Sequence, residues 1–407
     1  MPPLRSVLAA ALPLGLVAAL AWPGRHASVQ VEDPQEIAPA VSPLSAGEIA
    51  QASATIDQLV EASHAKHNVQ AMPVATDAQF LRRAYLGIIG RIPTADEAYA
   101  FLASTASTKR EVLVDRLVAS EGRVHHEFTF WADLLRVQSR LGNRSPGQPW
   151  IDWLKDSLRT NKPYDRMVRE MVTASGPALA EGNGATGFYL RDQGMPLDRM
   201  AYLSQTFLGT QIGCAQCHDH PFDHWKRREF FEFAAYLHGS DARRDVPGDK
   251  QARQALRKAM EELGPQERNV LRRIGDTIGV RVNTTVKATI TLPEDYQYDD
   301  AKPKDSVGAK VIFGASPTLA KGDDPRAAFA TWLTAPENPR FATVIANRLW
   351  KKAFGIGLIE PVDDLRNDTV ASNPELMAYL SRLMVSLKYD LRAYQAILYK
   401  TRAWQRQ

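Results

Sequence analysis

Apolar residues recur at three- and four-residue spacing over most of this chain, the pattern of helices that bury one face. Phe80, Leu81, Ala84, Tyr85 and Ile88 form one such stripe, with Asp77 as the expected N-cap and Gly90 to Pro93 as the stop. Thr94-x-x-Glu97 and Thr108-x-x-Glu111 read as capping boxes that open the next two helices. Phe128, Trp131, Ala132 and Leu135 make a further stripe, and Trp150 and Trp153 fall in a helix that begins after Pro149. Pro196 opens a helix carrying Leu197, Met200, Ala201, Ser204, Phe207 and Leu208, and Trp225 opens another with Phe230, Phe231, Ala234 and Leu237. Helical spacing returns from Asp324 through Trp404, with starts at Asn373-Pro374 and at Asp390.

Three stretches break this period. Val280, Val282, Thr284, Val286, Ala288, Ile290 and Leu292 alternate with mostly polar neighbours, which predicts a half-exposed strand or hairpin, and Val307 to Phe313 is its expected partner. Gly248 to Asp276 is highly charged and is broken by Pro265, so two exposed helices are expected there. Ser175 to Gly187 is rich in Gly, Ala and Asn but lacks the Lys-Ser/Thr ending of a phosphate loop, so it reads as a flexible loop. No internal repeat is visible. The predicted fold class is mainly α: a helical domain over 48–245, charged helices with a small β insertion over 246–322, and a C-terminal helical domain over 323–407.

The first residues carry an address rather than a fold. Met1 to Arg5 is a short segment with one Arg, Val7 to Trp22 is almost wholly apolar, and Ala19-Leu20-Ala21 offers a small-x-small cleavage site. This is the pattern of a secretory signal over 1–22, with an uncleaved membrane anchor as the other reading. A Pro-, Ala-, Ser- and acid-rich linker over 23–47 follows. Either way the bulk of the chain is expected outside the cytoplasm, in the periplasm or at the cell surface.

Composition narrows the function only slightly. With 44% apolar and 24% charged residues and a net charge of +4, the chain has ample core and no charge excess that points to nucleic acid. The two cysteines matter more, because they are the only two and stand as Cys214-Ala215-Gln216-Cys217-His218. That spacing attaches a c-type haem: the two sulfurs add to the vinyl groups, and His218 falls beneath the iron as a ligand. Two other readings use the same residues. Cys214 and Cys217 would pair as a disulfide in an oxidising compartment, or Cys214, Cys217, His220 and His224 would bind zinc.

Under the haem reading, Asp219, His220, Asp223 and His224 line its surroundings, and the carboxylate of Asp219 or Asp223 is positioned to accept the free ring N–H of His218. His220 is too close in sequence to reach the opposite face of the porphyrin. Met195, Met200, His125 and His126 are the candidates for a sixth ligand. In the C-terminal region, Asp363 and Asp364 with Arg340, Asn347 and Arg348 suggest either a paired-carboxylate hydrolase or a salt-bridge network tying helix to loop. No Gly-x-Ser-x-Gly or His-Glu-x-x-His motif adds an enzyme signal.

Several longer polar motifs occur in order: Phe80-Leu81-Arg82-Arg83-Ala84-Tyr85-Leu86 with Gly90-Arg91-Ile92-Pro93-Thr94, Lys162-Pro163-Tyr164-Asp165, and Cys214 through Asp223. Asp324-Pro325-Arg326, Asn338-Pro339-Arg340-Phe341, Asn347-Arg348-Leu349-Trp350 and Glu360-Pro361-Val362-Asp363-Asp364 follow. On these residues the chain resembles the exported planctomycete family of unknown function in which a cytochrome-like domain precedes a second, planctomycete-specific domain. The resemblance implies export, two domains and a cytochrome-like motif, without a substrate. Members usually continue well past the position of Gln407, so the second domain is expected to be shortened here.

The expectation at this stage is an exported c-type haem protein acting in electron transfer with a redox partner protein. A haem-dependent oxidoreductase with an open iron position is the first alternative. An exported scaffold or carbohydrate-associated protein with a metal or disulfide at Cys214 and Cys217 is the second.

Overall fold

Capping chemistry sets the start of many helices in the computed structural model, which describes residues 44–407 except 142–144, 245–249 and 285. The expected signal segment over 1–22 and most of the expected linker lie outside the described residues. Ser45 and Glu48 form a reciprocal box at the head of α1 (Ala46–Lys66), Thr76 and Gln79 at α2 (Asp77–Ile89), and Thr94 and Glu97 at α3 (Ala95–Ala103). Asp77 is therefore the first helical residue and not the cap, and its carboxylate pairs with Lys109 and Arg110 instead. Thr108 does not cap α4 (Lys109–Val118), because its backbone lies at φ −95°, ψ 9° and not in the extended region that turns a cap hydroxyl onto the helix.

The chain continues through α5 (Glu121–Leu134), α6 (Gln148–Arg159), α7 (Tyr164–Thr173), α8 (Gly187–Arg191), α9 (Pro196–Leu208) and α10 (Arg227–Ala234). The two charged helices follow as α11 (Lys250–Glu261) and α12 (Pro265–Ile278), and the C-terminal block is α13 (Pro325–Leu333), α14 (Phe341–Phe354), α15 (Pro374–Ser386) and α16 (Leu391–Lys400). Asp324, Asn373 and Asp390 cap the helices that follow them, as their sequence positions predict. The helix expected from Trp225 begins two residues later, at Arg227. Among the described residues no helix is long and apolar enough to cross a membrane.

Strand content is small and mostly non-local. The alternating run from Val280 splits into β3 (Val280–Asn283) and β4 (Thr289–Thr291), which belong to different sheets. β3 lies between β1 (Gly176–Pro177) and β2 (Asp241–Arg244), antiparallel to both, and β4 pairs with β5 (Ser306–Gly308). The Ser175 to Gly187 segment is thus not a free loop: it supplies β1 and then buries Gly184, Ala185 and Thr186. Two of its glycines, Gly184 and Gly187, are required by close approach. A Cβ on Gly184 would lie 2.0 Å from the Pro149 carbonyl oxygen, and one on Gly187 would lie 2.3 Å from the Trp150 ring.

The main core joins α1, α5 to α10 and α13 to α16, and a second apolar cluster packs α2, α3 and α4 with Ala396, Tyr399 and Trp404. Trp131 meets Tyr164 at 5.5 Å, and Tyr164 stacks on Phe341 at 5.0 Å, so an aromatic chain passes from α5 through α7 to α14. Buried side chains of this size contribute about 1.5–3 kcal/mol each. Polar ties follow the same route: the Ser53 hydroxyl donates to the Ile397 carbonyl at 2.9 Å, and Asp57 accepts the Arg402 and Ala403 amides. Glu127 on α5 pairs with Lys352 on α14 inside the core and also accepts from Gln395 of α16 at 2.7 Å.

The box at α3 carries a pH signature. Arg91 grips Glu97 through two guanidinium nitrogens at 2.8 and 2.7 Å, and the Thr94 amide donates to the same carboxylate at 2.7 Å. Burial acts to raise this carboxyl, and Arg91 and Thr94 overcome it, so the group is held down to about 2. A carboxyl depressed in the folded state contributes stability that is fully present above the ordinary Glu value of about 4.3 and is lost as pH falls through the folded value. Glu97→Gln should cost about 1–2 kcal/mol in urea unfolding at pH 7, a figure reduced for the partial exposure of the pair. The gap to wild type should close as pH is lowered toward 2, and a gap of constant size would contradict this assignment.

Candidate functional site

α9 delivers the chain to the cysteine motif, and its end is fixed by the C-terminal block. Gly209 closes α9 at φ 56°, its carbonyl accepts the Leu365 amide at 2.7 Å, and a Cβ there would meet Leu365 and Val344 at 2.9 Å. Gln205 donates to Asp363 at 2.8 Å, and the buried Arg348 donates to the Thr206 carbonyl at 2.7 Å. Asn347 donates to the Ile359 carbonyl and accepts the Leu358 and Ile359 amides. Asp364 turns instead to Arg366 at 2.9 Å. Asp363 and Asp364 therefore hold separate partners and do not converge as an acid–base pair; with Asn347 and Arg348 they tie α9, α14 and the following loop together.

The motif itself forms a single 3-10 turn, Gly213–Gln216, seated by two buried apolar residues, Ile212 and Ala215. Between these anchors the cysteines face outward. Cys214, Cys217 and His218 are all exposed, and both cysteines are free thiols. The His218 Nδ1 lies 2.7 Å from the main-chain oxygen of Asp219. A ring nitrogen next to a carbonyl oxygen carries the proton, which leaves Nε2 with its lone pair free to bind a metal. The partner of His218 is thus the backbone of Asp219; the expected carboxylates of Asp219 and Asp223 are engaged elsewhere.

Asp219 is the hinge of the segment that follows. Its amide donates to the Tyr298 hydroxyl at 2.7 Å, and its carboxylate accepts the Arg227 amide at 2.9 Å and the Lys226 ammonium at 2.9 Å, capping α10 from outside the helix. Burial acts to raise this carboxyl, and the Arg227 amide and Lys226 hold it below the usual range. Arg227, almost fully buried, reaches the Gln216 carbonyl at 3.4 Å and the Asp295 side chain at 2.8 Å, locking the turn to the segment before β5. Sequence reading missed Arg227, Tyr298 and Asp295, whose roles depend on contacts between distant parts of the chain.

Among the described residues, His220 and His224 turn to partners other than the cysteines. The His220 amide donates to the Trp225 carbonyl at 2.8 Å, closing a short loop, and His220 Nδ1 accepts the Phe222 amide at 3.2 Å. His224 Nδ1 lies 2.6 Å from the Asp223 carboxylate. Burial acts to raise Asp223, and the His224 amide and ring bring it below the usual carboxylate range. Among the described residues no group of three or more His, Cys, Asp or Glu side chains is arranged to hold a metal ion. Of the sixth-ligand candidates, Met200 is sealed in the core and Met195 is exposed at the head of α9. His125 lies against Glu121, and His126 packs on Gly90 with its basicity lowered by burial and by Lys352, so both belong to the α2–α5 side of the fold.

Beside the turn, Trp225 packs edge-on to Phe313 at 5.8 Å, and the Arg340 guanidinium lies 5.4 Å over the same Phe313 ring. Burial pushes Arg340 down while the Asp223 charge opposes that shift. Two outward thiols three positions apart in an anchored turn, a histidine with a free Nε2 directly after them, and the buried indole N–H of Trp225 without a partner among the described residues fit covalent haem attachment chemically.

Residues 55–242 match PSCyt2, described as a protein of unknown function (DUF1549), and residues 325–407 match PSD1, described as a protein of unknown function (DUF1553). No curated protein and no solved structure matches the chain. The first match holds the cysteine turn, and the second holds the helices and loop that fix its position. The chain belongs to the planctomycete family in which the cytochrome-like PSCyt2 domain is followed by PSD1.

Proposed function

We propose that this is an exported protein that carries one haem c on Cys214 and Cys217, with His218 as axial ligand, and that it exchanges electrons with a redox partner protein. The observation that carries the reading is the coexistence, on one anchored turn, of two exposed free thiols and a histidine whose Nδ1 is committed to a carbonyl. Haem c bound there supplies one-electron exchange at its iron. Cys214 and Cys217 hold the group, and His218 presents Nε2. Asp219, Arg227 and Tyr298 keep the turn rigid, so little reorganisation accompanies a change of charge. The apolar segment from Val7 to Trp22 supports export, which the attachment chemistry requires.

The test is a pyridine haemochrome spectrum of full-length protein produced with a cytochrome c maturation system, followed by denaturing electrophoresis. One haem per chain that stays attached on the gel is expected. Protein with no haem and stoichiometric zinc would overturn the proposal. Carbon monoxide added to the reduced protein separates the roles: an electron carrier with six ligands resists it, whereas rapid binding to a high-spin iron assigns the protein to oxidoreductase chemistry.

A further inference from the structure

Beside the cysteine turn one buried donor, the Trp225 indole N–H, lacks a partner among the described residues, and a second group, the Arg340 guanidinium, is only weakly held; the two come from different matched regions. The Trp225 indole is only 5% exposed, and its Nε1 is buried with no hydrogen-bond partner among the described residues. A buried donor left unpaired costs about 1–3 kcal/mol. Arg340 is half-buried, and the one side-chain hydrogen bond shown for it, from Nη2 to the Arg366 carbonyl, is 3.5 Å long. Both side chains contact Phe313, Trp225 edge-on and Arg340 over the ring. The hydrogen bond from the His220 amide to the Trp225 carbonyl brings this corner back to within two residues of His218.

We propose that Arg340 and the Trp225 indole N–H form a carboxylate-binding corner, and that its occupant is a propionate of the haem held by Cys214 and Cys217. The proposal rests on the haem reading above. A guanidinium fork matches a carboxylate through two parallel hydrogen bonds, and an apolar backing strengthens them. The indole N–H supplies a third donor with no competing acceptor. Asp223 faces the same arginine and would repel an incoming carboxylate, but its charge is offset by the His224 amide and ring and by Arg366. Arg340 thereby gives the second matched region a direct contact with the group attached to the first.

The experiment uses full-length, haem-loaded wild type, Arg340→Gln, Arg340→Lys and Trp225→Phe, each normalised by pyridine haemochrome. Resonance Raman spectroscopy reads the propionate bending band, and phenylglyoxal modification of Arg340 is timed by peptide mass mapping. The band should shift in Arg340→Gln and in Trp225→Phe and return part-way in Arg340→Lys, which keeps the charge without the fork. Arg340 should react about tenfold more slowly in haem-loaded wild type than in the haem-free Cys214→Ala/Cys217→Ala protein, the scale of one charge-assisted hydrogen bond. If Trp225→Phe fails to fold, Arg340→Gln decides alone. Unshifted bands in haem-loaded variants overturn the corner and leave the haem reading standing, whereas haem-free wild type overturns both. Protection of Arg340 by added acetate in the haem-loaded protein shows a corner open to free carboxylates and overturns the propionate assignment.

Discussion

Replacing both Cys214 and Cys217 by Ala is expected to take covalent haem from one per chain to none while leaving the thermal stability of the haem-free chain nearly unchanged. The two effects separate because the thiols contribute nothing to the core. Both are exposed and unpaired, and the turn that carries them is held by Ile212, Ala215 and Arg227. Exposed substitutions away from such anchors change stability by about 0.5 kcal/mol or less. Each single replacement should leave at most one thioether and lower the yield of attached haem. His218→Ala should keep the thioethers but lose the axial nitrogen, which the absorption spectrum reports directly. Haem content equal to wild type in the double variant would show that attachment does not use these sulfurs. A large loss of stability in haem-free protein would instead indicate that the cysteines were paired.

The largest stability effect is expected at Lys352→Met. This lysine neutralises Glu127 inside the core, and its removal leaves a carboxylate that is 3% exposed on its side chain. Breaking a buried ion pair from one side costs about 3–5 kcal/mol. Arg123 and Gln395 stay nearby and lessen the penalty without removing it. In wild type, burial acts to raise Glu127, and Lys352 and Arg123 overcome it, so the carboxyl lies below its ordinary value. Its contribution is therefore present above about pH 4.3 and declines as pH falls through the folded value. In Lys352→Met burial gains ground, the carboxyl rises, and the deficit relative to wild type should shrink on acidification. Glu127→Met/Lys352→Met should recover most of the loss, because two apolar groups of similar size replace the pair. A double variant as unstable as the single one, by urea unfolding at pH 7, would rule out this account.

Local chemistry made much of the fold legible. Asn373-Pro374, Asp390, Pro196 and Thr94-x-x-Glu97 each combine a cap or a proline with an apolar period, and each helix begins where they place it. Thr108 carried the same letters and failed, since a capping box also needs an extended backbone at the cap. The alternation after Val280 correctly marked Val280, Val282, Ile290 and Leu292 as inward, yet the sheet partners of β3 lie near residues 176 and 241. No local window contains them. Gly184 and Gly187 looked permissive in one dimension and proved to be points of tight packing against Pro149 and Trp150.

At the site, sequence spacing singled out Cys214, Cys217 and His218 but not the groups that orient them. The backbone of Asp219, and not a carboxylate, meets His218, because the two aspartates are drawn to the N-terminus of α10 and to His224. Arg340 looked like part of an acid–base cluster with Asp363 and Asp364. Tertiary folding places it over Phe313 and faces it toward Asp223, more than a hundred residues earlier.

The packing of α1 against α16 bears on how such proteins are inherited. Asp57, in the first matched stretch, accepts the Arg402 and Ala403 amides of the second, and Ser53, just before it, donates to the Ile397 carbonyl, so the start of one stretch completes the hydrogen bonding at the end of the other. A gene fragment encoding only one of them would specify half of a core and not a transferable module. Recombination that separates the two therefore yields a chain that must recruit a new cover, which favours transmission of the pair as a unit.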